Sequence, residues 1–193
     1  FRSAHTDEYG TVIQPNAQPG DIRFKDLNHD GKLDDNDKTF IGNAFPDLMV
    51  GINARLAWKN IDFAANFYGT IGNDVYNTTK GRYSGVSGEN VYAGTYNASW
   101  HGEGTSYDLP RLSYNDANQN WTRVSSFYVE DGSYLRCKQL QIGYTLPKKW
   151  TKKISLRLSF SAQNPFTITG YSGMDPEAAA LGTEGNEIGR AHV

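Results

Sequence analysis

The chain has 193 residues and a formal net charge of −2, a length that suits one domain or a piece of a larger protein and a balance that gives no reason to expect a nucleic-acid partner. Its single cysteine, Cys137, excludes an internal disulfide and with it a disulfide-stapled secreted domain. Mean hydropathy is −0.62 and no apolar run approaches the roughly 18 residues of a membrane helix, which leaves open a membrane barrel, whose alternating strands hide their hydrophobicity from averages.

Aromatic residues make up 13% of the chain, with 12 Tyr and 20 Gly, a mix that suits β-structure with long polar loops. His5, His29, His101 and His192 are scattered, and no H-E-x-x-H, C-x-x-C, G-x-S-x-G or phosphate-loop spacing occurs, so no catalytic role is expected. The start, FRSAHTDEYG, is polar, lacks Met and reads as the middle of a longer sequence.

Residues 26–37, DLNHDGKLDDND, carry the D-x-N-x-D-G opening of a calcium loop. A curled backbone there turns Asp26, Asn28 and Asp30 toward one centre. Gly31 permits the sharp turn, Lys32 offers its carbonyl, Asp34 assists directly or through water, and Asp37 takes the twelfth position that a bidentate Glu usually fills. The same residues also favour a plain polar surface turn. An EF-hand is not expected: GDIRF (20–24) is strand-like, and TFIGNAFPDL after the loop holds Gly42 and Pro46, which oppose a stable helix. A sensor or buffer is therefore not expected, and Ca2+ held in this loop would be structural.

DLMVGINARLAWK (47–59) alternates with period two: Leu48, Val50, Ile52, Ala54, Leu56 and Trp58 against Gly51, Asn53, Arg55 and Lys59. A short turn at Lys59-Asn60 leads into IDFAANFYGT (61–70), where Ile61, Phe63, Ala65 and Phe67 oppose Asp62, Asn66 and Thr70. A second pair follows: LQIGYTLP (140–147), a basic turn PKKWTKK (147–153), and ISLRLSFSAQ (154–163). Between the pairs, 71–132 is a long connection rich in Gly, Asn, Ser and Tyr, of the kind that is usually functional in a compact domain. Its Tyr92, Tyr96, Trp100, Tyr107 and Trp121 are candidates for stacking on a ligand such as a sugar ring, or for folding the loop onto itself. Sequons at Asn77, Asn97 and Asn120 mark polar loops, and a eukaryotic secreted domain would lean on them alone.

Such alternation fits either a soluble β-sandwich with an apolar core or an outer-membrane barrel with short periplasmic turns and long extracellular loops. Trp58 and Tyr144 near strand ends suit an interfacial girdle. Arg55 and Arg157 must then face the interior, since an Arg on lipid at mid-depth costs about 2–4 kcal/mol. On this reading Val50, Ile52, Leu56, Phe63, Phe67, Ile142, Leu156 and Leu158 contact lipid, and Arg55, Asn66, Gln141 and Arg157 line the interior.

Four segments, PGDIRFKDLNHDGKLDDNDKTFIGNAFPDLMVGIN, WKNIDFAANFYGTIGNDVYN, EDGSYLRCKQLQIGYTLP and SAQNPFTITGYSGMDPE, resemble in this order consecutive blocks near the carboxyl end of the SusC/RagA-like TonB-dependent outer-membrane transporters. The resemblance runs from about Pro19 to Glu177. His29 stands where that family's calcium-like loop usually has Gly, and Cys137 and Pro165 replace apolar positions. The resemblance implies an all-β fold: the C-terminal strands of a large antiparallel transmembrane β-barrel of about 22 strands, of the plugged class, with long extracellular loops. Such transporters sit in the Gram-negative outer membrane. They import oligosaccharides or peptides with a SusD-like surface lipoprotein, driven by a TonB complex that contacts an N-terminal part outside this chain. The implied division is an extracellular loop region at 1–46, barrel strands at 47–177 interrupted by the loop 71–132, and a tail at 178–193. A soluble carbohydrate-binding β-module with structural calcium is the alternative. The last seven residues, EIGRAHV (187–193), are what a common sequencing-adapter string behind one G encodes, so they are expected to be adapter-derived and the chain truncated before a final barrel strand.

Overall fold

The computed structural model describes residues 5–6, 10, 12–83, 86–88, 90–152, 154–180, 190–191 and 193. In chain order the strands are β1 (His5–Thr6), β2 (Val12–Gln14), β3 (Thr39–Phe40), β4 (Leu48–Trp58), β5 (Ile61–Ile71), β6 (Asp74–Tyr76), β7 (Val129–Asp131), β8 (Tyr134–Thr145), β9 (Arg157–Thr169) and β10 (Arg190–Ala191). The chain divides into two compact units. One comprises Asn43–Val75 and Asp131–Leu181; the other comprises Phe1–Gly42, Tyr76–Glu130 and Gly182–Val193.

The first unit is built on an antiparallel four-stranded sheet of order β4-β5-β8-β9. The ladder pairs like with like. Leu48↔Ile71, Ile52↔Phe67, Ala54↔Ala65, Leu56↔Phe63 and Trp58↔Ile61 share one face, while Asn53↔Asn66, Arg55↔Ala64 and Ala57↔Asp62 share the other. On the next ladder Phe63↔Ile142 and Ala65↔Leu140 continue the apolar face, and Ala64↔Gln141 and Asn66↔Gln139 the polar one. The apolar face has no partner layer among the described residues: Leu56, Trp58, Leu158 and Phe160 are each about 60–70% exposed (68%, 67%, 59% and 68%). A sandwich core would bury them.

Two strands are longer than the alternation predicts. β8 begins at Tyr134 rather than Leu140, and β9 starts at Arg157 but continues to Thr169. Register shifts between Cys137 and Gln139, which face Phe166 and Gln163 across the ladder, explain the difference. The β8 bulge adds Lys138, so the apolar face carries odd residues (Leu135, Cys137) on one side of it and even residues (Leu140, Ile142, Tyr144) on the other. Simple period-two reading stops there. Opposite, Asn164 takes φ 48 and Pro165 sits inside the irregularity, where its missing N–H costs no ladder bond. Cys137 is fully buried, paired across the sheet with Phe67 and Phe166, whose rings lie 6.3 Å apart.

The second unit has a polar interior. Phe24, Ile13, Trp121 and Tyr128 are buried together with Gln14, Asp21, Asp116, Asn118 and Asn120. Hydrogen bonds offset most of the cost of burying these groups, although among the described residues Trp121 Nε1 and the hydroxyls of Thr95 and Ser125 have no partner. Gln14 donates to the Ile22 carbonyl (3.1 Å) and to Asn118 Oδ1 (2.9 Å) and accepts from the Phe24 N–H (2.9 Å). Asp116 takes the N–H groups of Asn120, Trp121 and Thr122 at 2.8–3.1 Å. Asp21 accepts from Arg111 Nε (2.6 Å) and Asn120 Nδ2 (2.7 Å). The connection 71–132 is thus largely folded, with short helical turns at Thr78–Tyr83, Val86–Gly88, Thr95–Ala98 and Ser126–Tyr128. Asn77 and Asn120 are 1% exposed and both donate their amides, to Glu130 (3.1 Å) and Asp21. Two of the three sequons are therefore structural, which removes most of the support for a glycosylated secreted domain. Of 187–193 most residues lie outside those described. Arg190–Ala191 pairs antiparallel with Thr39–Phe40, and the Lys25 N–H donates to the Val193 carbonyl at 2.9 Å.

Candidate functional site

Three places hold the residues singled out from the sequence. The first is the loop 26–37, which is flanked by no helix beyond the short turn Asp35–Asp37 inside it. Its carboxylates organise their own backbone. Asp26 accepts from the N–H groups of His29 (2.7 Å) and Gly31 (2.8 Å). Asp30 accepts from Lys32 N–H (2.9 Å) and Asn28 Nδ2 (2.9 Å). Asp37, fully buried, takes Leu27 N–H and Asp34 N–H at 2.8 Å each, tying the two ends of the loop together. Asp34 caps the final turn through Asn36 N–H (2.8 Å). Gly31 adopts φ 79 and His29 φ 61. The left-handed backbone at His29 gives the physical reason a glycine suits that position. Asp26, Asn28, Asp30, Lys32, Asp34 and Asp37 thus lie in one curl. Among the described residues no three His, Cys, Asp or Glu groups converge at metal-holding distance.

The second place is the aromatic loop. Tyr96 stacks on His101 with ring centroids 4.3 Å apart. Together with Ser99, Trp100, Arg111 and Leu112 they line a concavity of about 250 Å³. Trp100 presses flat on Gly20, where a Cβ would come within 2.1 Å of its ring and φ is +92. Arg111 is fixed by Asp21, as above. Two of the five stacking candidates, Tyr96 and Trp100, are thus brought together. Tyr92 and Tyr107 are exposed but do not line this concavity. Trp121 is an interior residue: it is 6% exposed and meets Phe127 edge-on at 5.7 Å. No ring face is left for a ligand, which corrects its place among the stacking candidates. Beside it, burial pushes the Tyr128 hydroxyl far above its ordinary range, and it donates to the Trp121 carbonyl. Arg123 lies over the Phe24 ring at 5.0 Å; burial lowers its pKa and the charge of Asp37 opposes that.

The third place is the polar face of the sheet. Asp62 and Arg157 pair across strands at 2.5 Å, and with Arg55, Asn66, Gln139 and Gln141 they line a groove of about 520 Å³. The four residues expected to line an interior all lie here. At the other end of the same face stand Arg136 and Lys138, engaged by Asp175 and Glu177. Sequence reading missed this cluster. The signal available was the basic residue spacing in YLRCKQ and the acidic pair in MDPE, but those segments are about forty residues apart and nothing in either names the other.

No family model matches the chain. Against curated proteins it is 34% identical over 181 residues to TonB-dependent receptor P3 of Formosa agariphila, covering 92% of this chain and 17% of that protein. It is 26% identical over 187 residues to TonB-dependent receptor SusC of Bacteroides thetaiotaomicron, covering 95% of this chain and 18% of the relative. Among solved structures, the RagAB peptide transporter aligns with a TM-score of 0.53 at 26% identity over 70% of this chain and 15% of that one. The chain therefore spans less than a fifth of the length of the proteins it matches.

Proposed function

We propose, from the premise that this chain is a SusC/RagA-like segment of a TonB-dependent outer-membrane receptor, that it forms consecutive strands of the transport barrel and the surface loops they carry. The carrying observation is the sheet with an unpartnered apolar face and a polar, ion-paired reverse. A closed barrel in lipid needs that combination, because the outer face must be apolar and the backbone bonds must all be made between strands. A soluble carbohydrate-binding module would have to cover the apolar face, and the relatives give that alternative no support.

In this reading the short turns at Lys59-Asn60 and 147–153 are periplasmic and the loops 1–46 and 71–132 are extracellular. The whole protein imports a ligand and performs no chemistry on it. Oligosaccharides and peptides are the candidate cargo. The likeness to RagAB, a peptide transporter, supports the second class, and the concavity of Tyr96, Trp100 and His101 offers stacking surface for either. A SusD-like lipoprotein at the surface and a TonB complex are the proposed partners. Calcium is proposed at Asp26, Asn28, Asp30, the Lys32 carbonyl, Asp34 and Asp37, supported by the spacing and by the turn at Gly31. Binding there requires Asp30 and Asp34, which are exposed, to swing toward the buried pair Asp26 and Asp37. The barrel test is cysteine scanning in the full-length receptor in outer membranes: Leu56→Cys should react with a bilayer-confined reagent and Arg55→Cys with an aqueous one. The opposite pattern would invert the faces.

A further inference from the structure

After β9 the chain turns back over the polar face. Arg136 donates through Nη2 to Asp175 (2.5 Å), through Nη1 to Glu177 (2.7 Å) and through Nε to Thr167 Oγ1 (2.9 Å). Lys138 Nζ reaches both Glu177 oxygens, at 2.6 and 2.7 Å. Pro176, between the two acids, is buried. The bulge makes this possible: Arg136 and Lys138 alternate onto one face, and the extra residue keeps Gln139 on that face as well. Two tyrosine rings complete the seat. Arg136 lies 5.7 Å over Tyr134, Lys138 lies 5.9 Å over Tyr68, and the rings are 6.3 Å apart.

Two cations beside two aromatic rings make a site whose chemistry is that of carboxylate recognition. The chain fills it with its own carboxylates. Arg136 is held almost wholly out of solvent, its side chain 10% exposed, so removing the acids without replacement would strand a charge in a partly buried place. Asp175 and Glu177 are more open, at 37% and 28%, and Met174 beside them is 95% exposed.

We propose that residues 171–178 are a displaceable strap seated in a carboxylate site made by Arg136, Lys138, Tyr68 and Tyr134, and that a carboxylate-bearing cargo takes the place of Asp175 and Glu177 during passage. The proposal rests on the reading that this face lines the barrel interior. It commits the cargo to an acidic group, carried by a peptide or by an acidic sugar.

The test uses the full-length receptor purified in detergent, with three probes: an oligoglutamate peptide, an oligogalacturonate, and neutral counterparts of each (oligoglutamine and a maltooligosaccharide). Should the strap occupy the site about nine-tenths of the time, D175N/E177Q would raise affinity for an acidic probe about tenfold, because the competent fraction sets the apparent constant. R136Q/K138Q would abolish the preference for acidic over neutral probes. Whichever acidic probe responds identifies the source of the carboxylate. A second measurement needs no charge change: a fluorophore on M174C should shift when the wild-type strap is displaced by a saturating acidic probe. Acidic probes that bind no better than neutral ones, an affinity unmoved in D175N/E177Q, or an unresponsive fluorophore overturns the strap. Cysteine labelling of the polar and apolar faces in the same preparation judges the barrel reading separately.

Discussion

An arginine placed at Leu140 tests the facing of the sheet with a calculable cost. Leu140 pairs with Ala65 and Ala162 on the apolar face and lies five residues from the end of β8 at Thr145. At about 3.4 Å per residue that is about 17 Å along the strand, or about 13 Å of height for a strand tilted about 40°. This is the middle of an apolar band about 25 Å tall, where an arginine costs about 2–4 kcal/mol. With about 1.4 kcal/mol per tenfold, the folding equilibrium should fall by about 30- to 700-fold. Gln141, the next residue, faces Ala64 and Ser161 on the polar side and borders the groove with Asp62 and Arg157. Gln141→Arg should change stability by no more than about 0.5 kcal/mol. The assay is the fraction of full-length receptor in isolated outer membranes that keeps protease resistance and heat-modifiable mobility across a urea series. Equal losses for the two substitutions, or a greater loss at 141, would refute the assignment of faces.

Other expectations follow from the loops. Asp30→Ala should remove the calcium heat seen by calorimetry on the intact receptor, and equal heats in wild type and mutant would remove calcium from the account. His29→Gly should stabilise the loop by about 1 kcal/mol, read as slower proteolysis, by relieving the left-handed backbone at φ 61; no change would mean that the conformation is already free of strain. Trp121→Ala should cost about 3–5 kcal/mol because the ring is interior, whereas Tyr107→Ala, 63% exposed, should cost little; a reversed order in thermal unfolding would restore Trp121 as a surface residue. The hydrogen bond from Arg136 is the largest effect holding the Asp175 carboxyl below its ordinary value, with burial opposing it. Seating of Asp175 should therefore be complete above the ordinary carboxylate pKa and lost as pH falls through the lower folded one. A fluorophore on Met174→Cys in a Glu177→Gln background should show that acid transition, and strap release on raising pH from neutral would contradict the sign. The charged groups at this seat besides Asp175 are Arg136, which it shares with Glu177, and Lys138, which pairs with Glu177.

The strands were legible because burial pressure acts on one face only, and period-two alternation records it directly from Leu48 to Trp58 and from Ile61 to Ile71. The start of β8 was not, because Lys138 inserts one residue and reverses which parity is apolar. The polar unit was illegible for a different reason. Its interior depends on pairings such as Gln14 with Asn118 and Asp21 with Asn120, about a hundred residues apart, and Asn, Gln and Asp in a loop look the same whether buried or solvated. The calcium-type loop was recognisable from local spacing, whereas the service of its carboxylates to backbone N–H groups was not. Trp121 illustrates the limit for aromatics: nothing in NQNWTR distinguishes an interior ring from a stacking one.

The buried thiol of Cys137 makes the sheet its own clock. It lies at 0% exposure at the level of the bulge, beneath Phe67 and Phe166, in the strand that pairs with both β5 and β9. A small aqueous alkylating agent can reach it only after one of those seams has opened, so its rate of modification times the parting of β8 from its neighbours without any introduced probe. Followed during insertion into a membrane, the moment when Cys137 falls silent would date the zipping of these four strands.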